Sequence, residues 1–223
     1  MKFESELNMF EFMKRTFYSA ALSDILDEHG YPDCAVSPFS GIKPLFEEAI
    51  VVGRARTLLN APQKTGRDNP YKLAIELMDS LQPGDVAIAC STEPIEAGIM
   101  GELSATAMKS RGALGCLVDG FTRDVRKIIA MGFPVFAKGS SPIDTTGRVA
   151  VIEYDGQVTF GNRKLNSGQI VFADLDGIIF IPKEVEMDII EEAAQRITTE
   201  DKVRQELGNG KKVRDVWDKY HVM

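Results

Sequence analysis

The sequence predicts a single α/β domain over residues 1–182, followed by a helical C-terminal extension over residues 183–223. Three observations lead there. Between residues 102 and 137, helical and strand-like segments alternate, and each helical one is stopped by a glycine, Gly112 or Gly132. That order is expected where parallel strands are joined by helices. From residue 149 to 181 the texture changes to short apolar strands broken by Asp155-Gly156 and Asp176-Gly177, pairs that favour tight turns. Beyond Pro182, Val185, Ile189, Ile190, Ala193 and Ile197 share one helical stripe, and a charged amphipathic tail follows. A chain of 223 residues, 44 % hydrophobic and 26 % charged, is ample for a sizeable core.

The elements follow in order. Residues 10–30 read as helical, with Phe17, Ala21, Leu22, Ile25 and Leu26 at helical spacing and Gly30 as the stop. Ser23-Asp24 can cap a second start, which splits the span into two short helices. A turn-rich passage through Pro32, Pro38, Gly41 and Pro44 leads to a strand at 49–53. Residues 60–70 are polar and carry Gly and Pro, hence a surface loop. Residues 71–81 are helical, closed by Pro83-Gly84, and 86–90 form a short buried strand. Helices at 102–111 and 123–131 alternate with strands at 116–118 and 135–137. Strands 149–154 and 157–160 form a hairpin across Asp155-Gly156, and strands at 170–172 and 177–181 follow. Glu184, Glu186 and Asp188 suit the start of the next helix. The tail at 200–207 and 213–220 is of the kind that packs against a neighbour.

Composition removes several functions. With 33 acidic and 26 basic side chains the net charge is −7, so there is no basic footprint for nucleic acid. His29 and His221 lie at opposite ends of the sequence, which excludes a polyhistidine zinc site. Any metal is then held mainly by carboxylates and water, as hard cations are. Cys34, Cys90 and Cys116 are odd in number and widely spaced, consistent with buried, inert thiols in a reducing compartment. The N-terminus is charged, and no apolar run approaches the ~20 residues that span a bilayer. A cytoplasmic protein without a membrane partner is expected. Neither a Walker loop nor G-x-G-x-x-G after a strand occurs, against an NTPase, a Rossmann dehydrogenase or a Rossmann methyltransferase.

Two segments share a form suited to chemistry: Gly98-Ile99-Met100-Gly101-Glu102-Leu103 and Asp119-Gly120-Phe121-Thr122-Arg123-Asp124. In each, a glycine-containing turn delivers the chain into a helix, whose first N–H groups can bind a carboxylate or phosphate. The Arg123 guanidinium can hold a carboxylate or neutralise an enolate oxygen. Asp124 can ligate Mg²⁺, and Glu102 is a third polar group, suited to orienting a metal-bound water. An ordinary capping arrangement with a local ion pair accounts for the same residues. Asp174-Leu175-Asp176-Gly177 reads as a hairpin turn or a metal loop, and Lys138 as a solvated strand-end lysine or a Schiff-base amine.

From Gly101-Glu102-Leu103 through Arg111-Gly112 to Val118-Asp119-Gly120-x-x-Arg123-Asp124, the sequence resembles the superfamily of regulator of ribonuclease activity A and the 4-hydroxy-4-methyl-2-oxoglutarate aldolases. The likeness runs almost end to end, through Leu22-Ser23-Asp24, Gly53-x-Ala55-x-Thr57, Gly84-Asp85-Val86, Phe136-Ala137-Lys138-Gly139 and Ala173-Asp174-x-Asp176-Gly177. Asn166-Ser167-Gly168-Gln169 departs from the family's usual Pro-Gly-Asp turn. The resemblance implies a swivelling β/β/α sandwich like the phosphohistidine domain, assembled as homotrimers or hexamers with sites between subunits. It implies Mg²⁺ or Mn²⁺ at Asp124, substrate contact at Arg123, the pyruvyl carboxylate on the amides of Gly101 to Leu103, and Glu102 orienting metal-bound water. Glu200 is the nearest match to a glutamate that the aldolase branch sends to the adjoining subunit's site.

The expected activity is retro-aldol cleavage of a 4-hydroxy-2-oxo acid to pyruvate, with oxaloacetate decarboxylation as companion reaction. The alternative is a non-catalytic protein that binds and inhibits a ribonuclease. Glu102 and the long tail favour the enzyme.

Overall fold

The computed structural model describes residues 1–63 and 69–222. Its elements run α1 (Glu6–Thr16), α2 (Ser19–Glu28), two 3₁₀ turns (Pro32–Cys34 and Pro38–Ser40), β1 (Lys43–Pro44), β2 (Val51–Pro62), α3 (Lys72–Ser80), β3 (Asp85–Ser91), β4 (Gly98–Met100), α4 (Glu102–Ser110) and β5 (Gly115–Thr122). Then follow α5 (Val125–Met131), β6 (Val135–Ser140), β7 (Val149–Tyr154), β8 (Gln157–Phe160), β9 (Arg163–Asn166), β10 (Ile170–Ala173), β11 (Ile178–Ile181), α6 (Glu186–Gly208) and α7 (Val213–Tyr220). The fold is mixed α/β.

A nine-stranded sheet runs β1-β6-β5-β3-β2-β10-β11, with β4 also beside β5 and β7 also beside β2. Strands β2, β3, β5 and β6 are mutually parallel. The length of β2 explains the branching. Its first residues, Val51 to Arg54, pair with β10, whereas Leu58 to Pro62 pair with β7. One edge therefore carries two antiparallel neighbours in succession, and β3 occupies the other edge.

Both faces of the parallel strands are covered, which is why β3 and β5 read as continuous apolar runs. Alternate residues serve different layers: Cys116 and Val118 pack under α3, α4 and α5 with Leu77, Met108 and Ile128. Leu117 faces the other way, with Ile88, Phe136, Phe160 and Phe180. A further layer places Phe10 and Met13 of α1, Leu22 and Ile25 of α2 and Ile189, Ile190 and Ala193 of α6 against Val52, Phe172 and Ile181. Cys90 and Cys116 are buried free thiols, and burial pushes the Cys116 thiol up to about 12.

Several expectations change. The first helical span breaks at Phe17 and Tyr18, both extended, and Ser23 lies inside α2. The start of α2 is capped from far along the chain. Ser19 donates its N–H to Asp174 Oδ2 (2.8 Å) and its hydroxyl to Oδ1 (2.6 Å). The Asp176 and Gly177 N–H groups also donate to Oδ1, at 3.1 and 3.2 Å. A carboxylate filled by four donors is a turn and cap residue, which removes the metal-loop reading of residues 174–177. Asp174→Ala is expected to lower the unfolding free energy by about 1–2 kcal/mol, read by urea denaturation; an unchanged midpoint would deny the cap its role.

The residues expected to loop from 60 onward are strand as far as Pro62, and those at 64–68 lie outside the described residues. Asp155 does take positive φ (57°), but β7 and β8 do not pair with one another. β7 is captured by β2, and β8 pairs with β9 across Gly161-Asn162, both at positive φ. Strand β4 was not expected, since three residues carry too little pattern to read. The tail segment expected at 200–207 is the continuation of one 23-residue helix, α6. No helix among the described residues is long and apolar enough to cross a membrane.

Candidate active site

The carboxyl ends of β4, β5 and β6 lie side by side, where ligands of parallel sheets collect. Asp119 to Thr122, read as a turn, belong to β5, and the chain turns only at Arg123-Asp124. Main-chain bonding stitches the two functional segments together. Arg123 N–H donates to Met100 O at 2.9 Å, and the buried Thr122 hydroxyl donates to the same oxygen at 2.8 Å. Closeness, not backbone freedom, demands the glycines here. A Cβ on Gly101 would stand 2.9 Å from Asp124 Oδ2, and one on Gly98 would stand 2.9 Å from Arg123 Cβ.

Asp124 has left-handed backbone geometry (φ 58°, ψ 30°) and makes no side-chain cap to its own helix, α5. This conformation costs an L-residue about 1 kcal/mol. It turns the carboxylate towards α4 instead, where Oδ2 accepts the Glu102 N–H at 3.2 Å and lies 3.5 Å from Arg123 Nε. Local capping of α5 therefore does not account for Asp124. Its second oxygen makes no hydrogen bond among the described residues.

Arg123 is held on two edges. Its Nε faces Asp124, and its Nη1 donates to Asp144 Oδ1 at 2.5 Å. Asp144 Oδ2 accepts the Thr146 N–H at 3.1 Å. Hydrogen bonds from Thr146, with a lesser contribution from Arg123, hold the Asp144 carboxyl below its ordinary value. Nη2 of Arg123 remains without a partner among the described residues. Glu102 is steadied by the Thr106 hydroxyl (3.4 Å) and by Lys127 Nζ (3.6 Å). The Leu103 and Ser104 N–H groups lie in the first turn of α4, where no intrahelical acceptor exists.

These groups line one wall of a cleft of about 530 Å³. Ala74 and Met78 of α3 and Val149 and Val151 of β7 add apolar lining, and Asn60, Tyr71 and Thr145 add polar groups. Gly101, Glu102, Leu103, Arg123 and Asp124 thus all line this one cleft. Glu200 lies on α6 and is not among the cleft residues of the chain; its carboxyl is pushed up by burial. Lys138 is also absent from the cleft, and its ammonium pairs with Asp119 at 2.5 Å. His29 pairs with Glu192 of α6 at 2.7 Å, and His221 ends α7. Sequence reasoning missed Asp144, which nothing local marks, whereas Asn60 and Tyr71 flank the loop read at residues 60–70 and both line the cleft.

The donor set bears on a metal. Among the described residues no three His, Cys, Asp or Glu side chains gather into a cation site. One free carboxylate oxygen beside an open cleft suits Mg²⁺ or Mn²⁺, hard cations that accept one or two carboxylates and keep their waters. It does not suit zinc.

The sequence model of the RraA-like family, described as Aldolase/RraA, matches residues 19–180. The chain belongs to the RraA-like family. A relative from Halalkalibacterium halodurans, named "Putative 4-hydroxy-4-methyl-2-oxoglutarate aldolase", is 30 % identical over 182 residues, 82 % of this chain and 80 % of the relative. RraAS2 of Streptomyces coelicolor, described as an unusual member of the RNase ES inhibitor RraA family, has a crystal structure similar to this one. The TM-score is 0.78 at 25 % identity, covering 92 % of this chain and 99 % of that one. RraA of Thermus thermophilis, an RNA-processing inhibitor, shares the fold more narrowly, at a TM-score of 0.57 and 22 % identity over 72 % of this chain and 92 % of that one. RraAS2 matches nearly the full length of this RraA-like chain, so a long C-terminal extension does not by itself separate aldolases from ribonuclease regulators.

Proposed function

We propose that this RraA-like protein is a divalent-metal-dependent lyase that cleaves a 4-hydroxy-2-oxo acid to pyruvate and also decarboxylates oxaloacetate. The observation that carries this reading is the convergence of a free guanidinium edge, a free carboxylate oxygen and unfilled helix amides on one cleft. Relatives named for aldolase activity support it.

The 2-oxo acid end lies against the first turn of α4, its carboxylate accepting from the Leu103 and Ser104 N–H groups. In the retro-aldol step the C3–C4 bond breaks, its electrons pass into a pyruvate enolate, and the C4 hydroxyl loses its proton as C4 becomes a carbonyl. In oxaloacetate the same bond breaks with loss of CO₂, leaving the same enolate. Nη2 of Arg123 meets the developing enolate oxygen, a preorganised interaction typically worth ~3–4 kcal/mol. Glu102, fixed by Thr106 and Lys127, orients the water that takes the C4-hydroxyl proton. Mg²⁺ or Mn²⁺ held by Asp124 supplies Lewis-acid polarisation of the 2-oxo group when bound.

The reading extends to assembly and place: homotrimers or hexamers of the swivelling β/β/α form, a neighbour's Glu200 approaching the site, and a cytoplasmic location. It is tested by incubating the protein with pyruvate and borohydride and, separately, with EDTA. Loss of activity to EDTA, its return with Mg²⁺ and indifference to borohydride are expected; the reverse pattern would favour a Schiff-base lysine. Ribonuclease binding is the second reading, favoured by the similarity to RraAS2. A stoichiometric complex with a ribonuclease, together with no pyruvate release, would establish it.

A further inference from the structure

Asn60 sits near the end of β2, at the irregularity where the pairing with β7 shifts between Leu59 and Asn60. It lines the cleft, yet only 5 % of its surface is exposed. Its amide orientation is dictated by chemistry. The Nδ2 group donates to Cys90 O at 2.8 Å, a contact that an oxygen in the same place could not make, because a carbonyl cannot donate to a carbonyl. The main chain is equally committed, since Asn60 O accepts the Thr92 N–H at 2.9 Å. That leaves Oδ1, which takes no hydrogen bond among the described residues and is not among their sealed, unpartnered polar atoms. The oxygen opens on the cleft.

The cleft it faces is lined there by Ala74, Met78, Val149 and Val151, which cannot donate a side-chain hydrogen bond, and by Tyr71 and Thr145, whose hydroxyls lie 3.2 Å from one another. Water can fill this acceptor while the cleft is empty, but a ligand that covers it with an apolar group leaves it without a donor, at a cost of roughly 1–3 kcal/mol. A bound donor avoids that. Position decides which part of a ligand supplies it. Strands β2 and β5 are separated by β3 alone, so Asn60 lies about two strand spacings, roughly 10 Å, across the sheet from the strand that leads into Arg123. A 2-oxo acid whose carboxylate rests on α4 reaches Asn60 only with its far end.

From this we infer that Asn60 is a specificity-determining residue that accepts a hydrogen bond from the substrate beyond C4. The preferred substrates are then 4-hydroxy-2-oxo acids carrying a further hydroxyl on the C4 substituent, at C5 or C6, as in acids derived from sugars. The inference rests on the pyruvate-lyase reading above.

The test compares pyruvate release by the intact protein from 4,5-dihydroxy-2-oxo and 4-hydroxy-2-oxo acids of equal chain length, the second ending in an alkyl group, with oxaloacetate as reference. The wild type is expected to favour the hydroxylated acid by roughly tenfold or more in kcat/KM, and Asn60→Leu to erase that ratio. No wild-type preference, or a preference that survives unchanged in Asn60→Leu, would overturn the inference even if the variant were less stable. Circular dichroism checks the variant's fold, and Asn60→Ser, smaller and still polar, replaces it if leucine prevents folding. Failure of the underlying reading looks different: the wild type then releases pyruvate from none of these acids, oxaloacetate included.

Discussion

Arg123→Ala is expected to reduce kcat/KM for pyruvate release by roughly 10²–10³-fold, the range for removal of one preorganised donor from a developing oxyanion. Steady-state kinetics with the best 4-hydroxy-2-oxo acid and with oxaloacetate measure it, and both reactions should fall together because both form the same enolate. The size of the effect follows from how the guanidinium is held. Asp124 and Asp144 occupy two of its edges and leave Nη2 for the substrate. Arg123→Lys should recover little, since one ammonium cannot keep both carboxylates and present a third donor in a fixed direction. A loss smaller than tenfold would mean that the enolate charge is balanced elsewhere.

Asp124→Asn should cost on the order of 10³-fold in turnover, the several kcal/mol expected when a Lewis acid is lost. The amide preserves the shape of the side chain and can still accept the Glu102 N–H through its oxygen, so the fold should persist. Calorimetric titration with Mg²⁺ reads the same change without any turnover: heat of binding in the wild type and none in Asp124→Asn. An unchanged titration would move the cation away from Asp124.

The fold and the site were legible to different extents, for physical reasons. The Gly101-Glu102-Leu103 segment is visible in the sequence because close approach of two strand ends requires glycine at 98 and 101, and Arg123-Asp124 is visible because it follows a buried strand into a helix. The alternating middle of the chain is visible because strands buried on both faces must be apolar throughout. Pairing choices are not local, and there the reading failed. Asp155-Gly156 correctly marks a turn, but β7 finds more partner length along β2 than beside β8. The cap of α2 comes from Asp174, 155 residues away. Asp144 and Asn60 carry no motif at all. Each becomes a site residue only because the sheet brings the loop after β6 and the end of β2 to the same cleft. The roles of Asp124 and Glu200 came from family resemblance; the geometry supplies a reason for the first and leaves the second outside the cleft of its own chain.

The most direct test is a pyruvate-release assay coupled to lactate dehydrogenase, run over a panel of 4-hydroxy-2-oxo acids and oxaloacetate, with Mg²⁺ and with EDTA. Pyruvate formed with Mg²⁺, abolished by EDTA and restored by excess Mg²⁺ is the predicted result. A folded protein that releases no pyruvate from any of these acids at saturating Mg²⁺ would contradict the assignment.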